Sequence, residues 1–201
     1  AKHERWAAEA PDAHILNRFA DAAMDNMRAS LRLMDHRVFD AVARLLGARR
    51  RSVHIMGGRI TGAVAHYFHT HLHMARPGVH LVPEAQAAWP QYLLNLSRGD
   101  VLLVFDVRRY DARMLDFAVS AKAEGAEVVL ITDQWMSPIA RIAGLTLPLR
   151  IEVPSSWDSN MVPLFVAESL VAAVVDHNWP ETQARIHRLE TINETLRRGK
   201  S

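Results

Sequence analysis

The sequence predicts an α/β fold, a three-layer α-β-α sandwich around a five-stranded parallel sheet, and three observations carry that expectation. Five short apolar runs, at residues 53–56, 79–82, 101–105, 128–132 and 146–149, alternate with stretches of helical period. The runs are apolar almost throughout, so both faces of each strand must be covered, as happens when helices flank a parallel sheet. Compact turn signals separate the segments: Arg98-Gly99-Asp100, Glu124-Gly125-Ala126 and Ser137-Pro138.

A long helix over residues 13–46 precedes the sheet. Ile15, Phe19, Ala23, Met27, Leu31, Met34, Val38, Val42 and Leu45 recur three or four apart and form one apolar stripe. Pro11-Asp12 suits its start and Gly47 its stop, and Arg49-Arg50-Arg51 suits the negative end of its macrodipole. At 1.5 Å per residue it would be roughly 50 Å long, more than a small domain covers, so its early part is expected to pack on another subunit or domain.

The first strand, Val53-His54-Ile55-Met56, runs into Gly57-Gly58-Arg59-Ile60-Thr61-Gly62, and a helix over 61–74 follows with Val64, Phe68 and Leu72 four apart. Further helices are expected at 84–96, 112–124, 138–143, 159–177 and 181–197. Ser137 before Pro138 is a good N-cap and first-turn pair. The chain divides into a helical segment at 1–50, the sheet domain at 51–180 and a C-terminal helix at 181–201.

Composition narrows the function. With 201 residues, 49% of them apolar, the chain can build one real core. A net charge of +2, spread along the chain, argues against a nucleic-acid surface on these residues. The absence of cysteine excludes disulfides, thiolate catalysis and Cys-based metal sites, and fits a cytoplasmic location. No apolar run reaches spanning length, so no membrane partner is expected.

In open α/β sheets, ligands sit beyond the carboxyl ends of the strands, at a topological switch point. Strand, glycine turn, helix is an anion-binding arrangement, because glycine admits a close ligand and the helix N-terminus offers unpaired N–H groups. Gly57, Gly58, Arg59 and Thr61 are therefore candidate ligand contacts; the alternative is a tight turn with a cap. Asp106, Arg108 and Arg109 follow the third strand, and either recognise a ligand or form a structural ion-pair network. Ser155, Ser156 and Ser159, with Asp158, complete the pocket or merely cap the next helix. His66, His69 and His73 lie three and four apart, but no carboxylate sits at ligand spacing beside them, so neither metal nor cofactor is expected. Trp135, Trp157 and Trp179 read as core or interface packing, and Glu168 as either a buried base or a solvent-facing residue.

In order, these segments resemble the SIS (sugar isomerase) domain, and in particular the effector-sensing domain of RpiR-type (MurR/RpiR) bacterial transcriptional regulators. The resemblance is carried by Ile55-Met56-Gly57-Gly58-Arg59-Ile60-Thr61, by Gly99-Asp100-Val101-Leu102-Leu103-Val104, and by the block from Ala121 to Asp133 followed by Ser137-Pro138-Ile139-Ala140. It implies a flavodoxin-like SIS fold, a homodimer or tetramer, and a helix-turn-helix domain preceding Ala1 through which alone DNA is met. It also implies a phosphosugar ligand held by a Ser-x-Ser-Gly-x-Thr loop. Here that loop reads Asp106-Val107-Arg108-Arg109-Tyr110-Asp111, as in a variant branch that also has the later Pro154-Ser155-Ser156-Trp157-Asp158-Ser159 segment.

The sequence thus points to a domain that binds a small anionic metabolite, such as a phosphosugar or sugar acid, and performs no chemistry. The alternatives are a sugar-phosphate aldose–ketose isomerase, with Glu84, Glu168 or His177 as base or shuttle, and a degenerate domain that only dimerises.

Overall fold

A computed structural model describes residues 14–198. Among these, seven α-helices surround five parallel strands: α1 (Ile15–Leu33), α2 (His36–Gly47), β1 (Val53–Gly57), α3 (Gly62–Ala75), β2 (Val79–Leu81), α4 (Trp89–Leu93), β3 (Val101–Asp106), α5 (Ala112–Ala123), β4 (Glu127–Asp133), β5 (Leu145–Leu149), α6 (Met161–His177) and α7 (Trp179–Arg198). The sheet order is β2-β1-β3-β4-β5. Connections run one way from β1 to β2 and the other way from β3 onward, so the switch point lies between β1 and β3. There Val53 pairs with Val101 and Gly57 with Phe105.

Alternation along the strands divides the core in two. Ile55, Leu103, Phe105, Ile131 and Leu147 face α2, α3 and α6 through Leu46, Phe68, Leu72, Val166 and Leu170. Met56, Leu102, Val104 and Leu130 face α5 through Met114, Phe117 and Ala118. All six residues of β3 are buried, which is why its sequence shows no polar alternation.

Three expected helices differ. The expected 13–46 helix is broken: Met34 and Asp35 are extended, and the Asp35 carboxylate accepts the Arg37 N–H at 2.8 Å to start α2. The apolar period carries on across the break through Met34 and Val38, so periodicity alone does not reveal it. The expected 84–96 helix shrinks to a 3-10 turn at Gln86–Ala88 and the short α4, whose first turn holds Pro90. The 138–143 helix is likewise a 3-10 turn, Pro138–Arg141, with Ser137 capping it as its sequence suggests. Pro11 and Asp12 lie outside the described residues.

α1 is tied to the chain that follows β5: the Ser30 hydroxyl accepts the Arg150 N–H at 2.8 Å, and Asn26 donates to the Glu152 carbonyl at 2.6 Å. At the other end, α7 leaves α6 at 103° and projects with Leu189, Ile192 and Leu196 exposed. Among the described residues no single helix is long and apolar enough to cross a membrane.

Candidate ligand site at the switch point

The turn after β1 is locked to β3. Thr61 donates its hydroxyl to the Phe105 carbonyl at 2.6 Å and accepts the Gly58 N–H at 2.9 Å. That hydroxyl is therefore spent inside, and α3 begins without a side-chain cap. The two glycines do different work. A Cβ on Gly57 would lie 2.6 Å from the Thr61 carbonyl oxygen and 2.7 Å from the Gly62 nitrogen, so only glycine fits there. A Cβ on Gly58 would meet nothing closer than 3.4 Å, because Gly58 opens onto a cavity.

The loop after β3 is held by a residue from β4. Buried Asp133 accepts the Arg108 N–H at 2.6 Å, the Tyr110 hydroxyl at 2.7 Å and the Trp135 N–H at 2.9 Å. Burial, reinforced by the Asp133 contact, pushes the Tyr110 phenol up, so it stays a donor. Clamped on both sides, Arg109 takes a left-handed backbone at φ 64°, a conformation that costs about 1–2 kcal/mol away from glycine. Asp111 caps α5 by accepting the Arg113 N–H at 2.9 Å, and also accepts from Gln86 at 3.1 Å. The Arg113 backbone and side-chain bonds hold its carboxyl below the usual range.

Between these two turns lies a cavity of about 530 Å³. Its third wall is the segment before α6, where Asn160 donates to the Ile60 carbonyl at 3.2 Å. Gly58, Arg59, Thr61, Asp106, Arg108, Arg109 and Ser156 line it. Gly57 instead faces an adjoining cavity of about 340 Å³ that shares Gly58, Arg59, Asp111 and Met114. Ser155 and Ser159 lie outside both: their hydroxyls accept the Trp157 and Met161 N–H groups, each at 3.1 Å, so they are turn and cap residues.

The two arginines diverge. The Arg108 guanidinium lies 3.5 Å from both Glu152 and Asp158 and 3.9 Å above the Trp135 ring. Arg109 is exposed, with its guanidinium 5.3 Å from the Trp157 ring. Arg59 is exposed too, and among the described residues neither Arg59 nor Arg109 forms an ion pair. Trp135, Trp157 and Trp179 are 43%, 58% and 51% exposed, so of the core or interface packing expected of them the core alternative does not hold. Buried Asp106 bonds the Ser137 hydroxyl through Oδ2. Burial, with Asp133 and Asp111 nearby, raises its carboxyl to about 6.

Other candidates stand apart from this cavity. Glu168 is exposed and accepts the Tyr67 hydroxyl at 2.7 Å; His177 is bonded to the Ala173 carbonyl; Glu84 lines only the adjoining cavity. His66, His69 and His73 stack along α3 at 6.5 and 5.7 Å, and no metal-competent cluster occurs among the described residues.

A doubly wound sheet with a cavity of about 530 Å³ at its switch point has the architecture in which open α/β sheets bind ligands. The chain belongs to the SIS domain family, whose model matches residues 48–173. No curated protein matches its sequence. Among solved structures it is similar to the sugar isomerase domain of an RpiR transcription factor from Sphaerobacter thermophilus, with a TM-score of 0.80, 19% identity, and coverage of 88% of this chain and 97% of that one. It is also similar to the Vibrio vulnificus NanR protein complexed with ManNAc-6P (TM-score 0.74, 17% identity, coverage 94% and 73%). A phosphoheptose isomerase from Francisella tularensis is a third (0.67, 15%, 80% and 96%). At these identities the likeness establishes the fold.

Proposed function

We propose that this chain is the effector-binding and dimerising domain of a bacterial transcriptional regulator, and that it senses a small acidic metabolite such as a phosphosugar or sugar acid. The observation that carries the reading is the 530 Å³ cavity at the switch point, walled by a glycine turn and by Arg59 and Arg109, which have no ion pair among the described residues. The RpiR regulator domain and the NanR protein with its ManNAc-6P support it as relatives in fold. The scattered placement of Glu84, Glu168 and His177 weighs against an isomerase, which needs its base and proton shuttle in one site.

In this reading the domain works in the cytoplasm and does no chemistry. A bound metabolite favours one dimer geometry and so resets the spacing of DNA-reading helix-turn-helix units that lie outside these 201 residues. A melting screen tests it. Phosphorylated or carboxylated metabolites should raise the midpoint, a ligand at a hundred times its Kd adding about 2.7 kcal/mol. A screen in which only compounds lacking an acid group stabilise the protein rejects the proposal.

A further inference from the structure

The charges around the cavity do not add up to a site for an acid alone. Three guanidinium groups, Arg59, Arg108 and Arg109, face three carboxylates, Asp106, Asp111 and Asp158. Some of these satisfy one another or their surroundings. Arg108 pairs with Asp158, and Asp111 is taken up by Arg113 and the first turn of α5. What remains is two cations, Arg59 and Arg109, and one anion, Asp106.

Asp106 is only 3% exposed. Its Oδ2 takes the Ser137 hydroxyl, but its Oδ1 has no hydrogen-bond partner among the described residues. That oxygen lies on the side of cavity-lining Gly58, whose added Cβ would come within 3.9 Å of it. That oxygen is not itself a buried orphan: it opens onto the cavity, where a cation or a donor can be brought against it. The raised carboxyl, at about 6, is what burial beside Asp133 and Asp111 produces when no cation offsets it. The anion-binding groups are thus the exposed pair of arginines, and the buried end of the cavity asks for positive charge.

We infer that the ligand is an ammonium-bearing acid, its ammonium set against Asp106 at the floor of the cavity and its acid group held by Arg59 and Arg109 at the mouth. This rests on the effector-binding reading above and narrows its ligand class. The acid is either a carboxylate, as in an amino acid, or a phosphate, as in an amino sugar phosphate. Both present the same pair of charges.

Matched pairs separate the sources and test the claim. The whole chain is melted with each α-amino acid and its 2-hydroxy counterpart, and with each 2-amino-2-deoxyhexose 6-phosphate and the parent hexose 6-phosphate. The expected result is stabilisation by the ammonium member of a pair, with binding of its hydroxyl partner weaker by about tenfold or more. Asp106→Asn keeps an acceptor for Ser137 and should erase that discrimination, while Arg109→Ala should weaken both members alike. Hydroxyl members that bind as tightly as ammonium members overturn this inference and leave the acid-sensing proposal standing. If no acid of either series binds, this inference falls, and the acid-sensing proposal falls with it when the wider melting screen also finds no stabilising acid. The wild-type comparison decides the matter even if Asp106→Asn does not fold.

Discussion

Arg108 and Arg109 are neighbours in sequence, yet the structure gives them different work. Arg108 spends its guanidinium on Glu152, Asp158 and Trp135, whereas Arg109 lines the cavity with the Trp157 ring beside it. Arg109→Ala should weaken acid binding about ten- to a hundredfold, the loss of one charge-assisted contact, and leave the melting point in place. Arg108→Ala should lower stability by about 1 kcal/mol or less, because the pair is partly exposed. Arg109→Gly relieves the φ of 64° and should melt no lower than the parent while binding poorly. Calorimetry and titration on the three variants check this. Asp106 supplies a pH signature. Its folded value of about 6 lies above the ordinary 3.8, so the folded state binds the proton more tightly, and stability falls as pH rises from about 4 to 6. Asp106→Asn should therefore be the more stable protein at pH 8, by up to about 3 kcal/mol, with the gap closing towards pH 4. Buried His54, whose imidazolium is disfavoured, loses stability as pH falls below its ordinary 6.5, but that effect is common to both proteins and cancels in their difference. An unchanged gap across pH 4–8 contradicts this account of Asp106.

At the scale of elements, the glycine turn after β1 shows how sterics and ligand access divide between adjacent residues. Gly57→Ala drives a Cβ into the Thr61–Gly62 backbone and should cost about 1–3 kcal/mol, since backbone rather than a flexible side chain must give way. Gly58→Ala has room and should melt near the parent, its effect falling on ligand affinity. Equal melting points for the two variants would contradict the division. All five strands were legible in the sequence to within a residue or two at each end, because burial on both faces leaves an unbroken apolar run. The break between α1 and α2 was not, since Met34 and Val38 stay in phase across it. Gly58 and the Arg59, Asp106, Arg108, Arg109 set were legible as strand-end residues, and the structure brings them to one cavity, with Gly57 on the adjoining one. Asp133 was missed as the clamp on the 107–111 loop. Its partners lie 23 and 25 residues away, and no local pattern records such a bond. Ser155 and Ser159 carry the same residue types that serve either a pocket or a cap, and only their bonds to Trp157 and Met161 distinguish the two.

The whole molecule presents apolar surface that its own sheet does not cover. Ile15, Leu16 and Met24 on α1 are 47–68% exposed, and Leu189, Ile192 and Leu196 form a stripe along the projecting α7. A second copy of the chain is the expected cover, so sedimentation at tens of micromolar should give a dimer or tetramer, and a paired Ile192→Lys and Leu196→Lys change should shift it towards monomer. A parent protein that sediments as a monomer rejects this. Because α1 is bonded to the chain around Arg150 and Glu152, and Glu152 contacts Arg108, a change at the cavity has a bonded route to an exposed apolar face. All of this depends on ligand binding at the switch point. Hydrogen–deuterium exchange with the most stabilising acid from the melting screen tests that location most directly. The account predicts protection of the amides at 58–64 and 107–113, with little direct change along α7. Protection confined to α7 or to the amino ends of the strands, with the two turns unaltered, would contradict it.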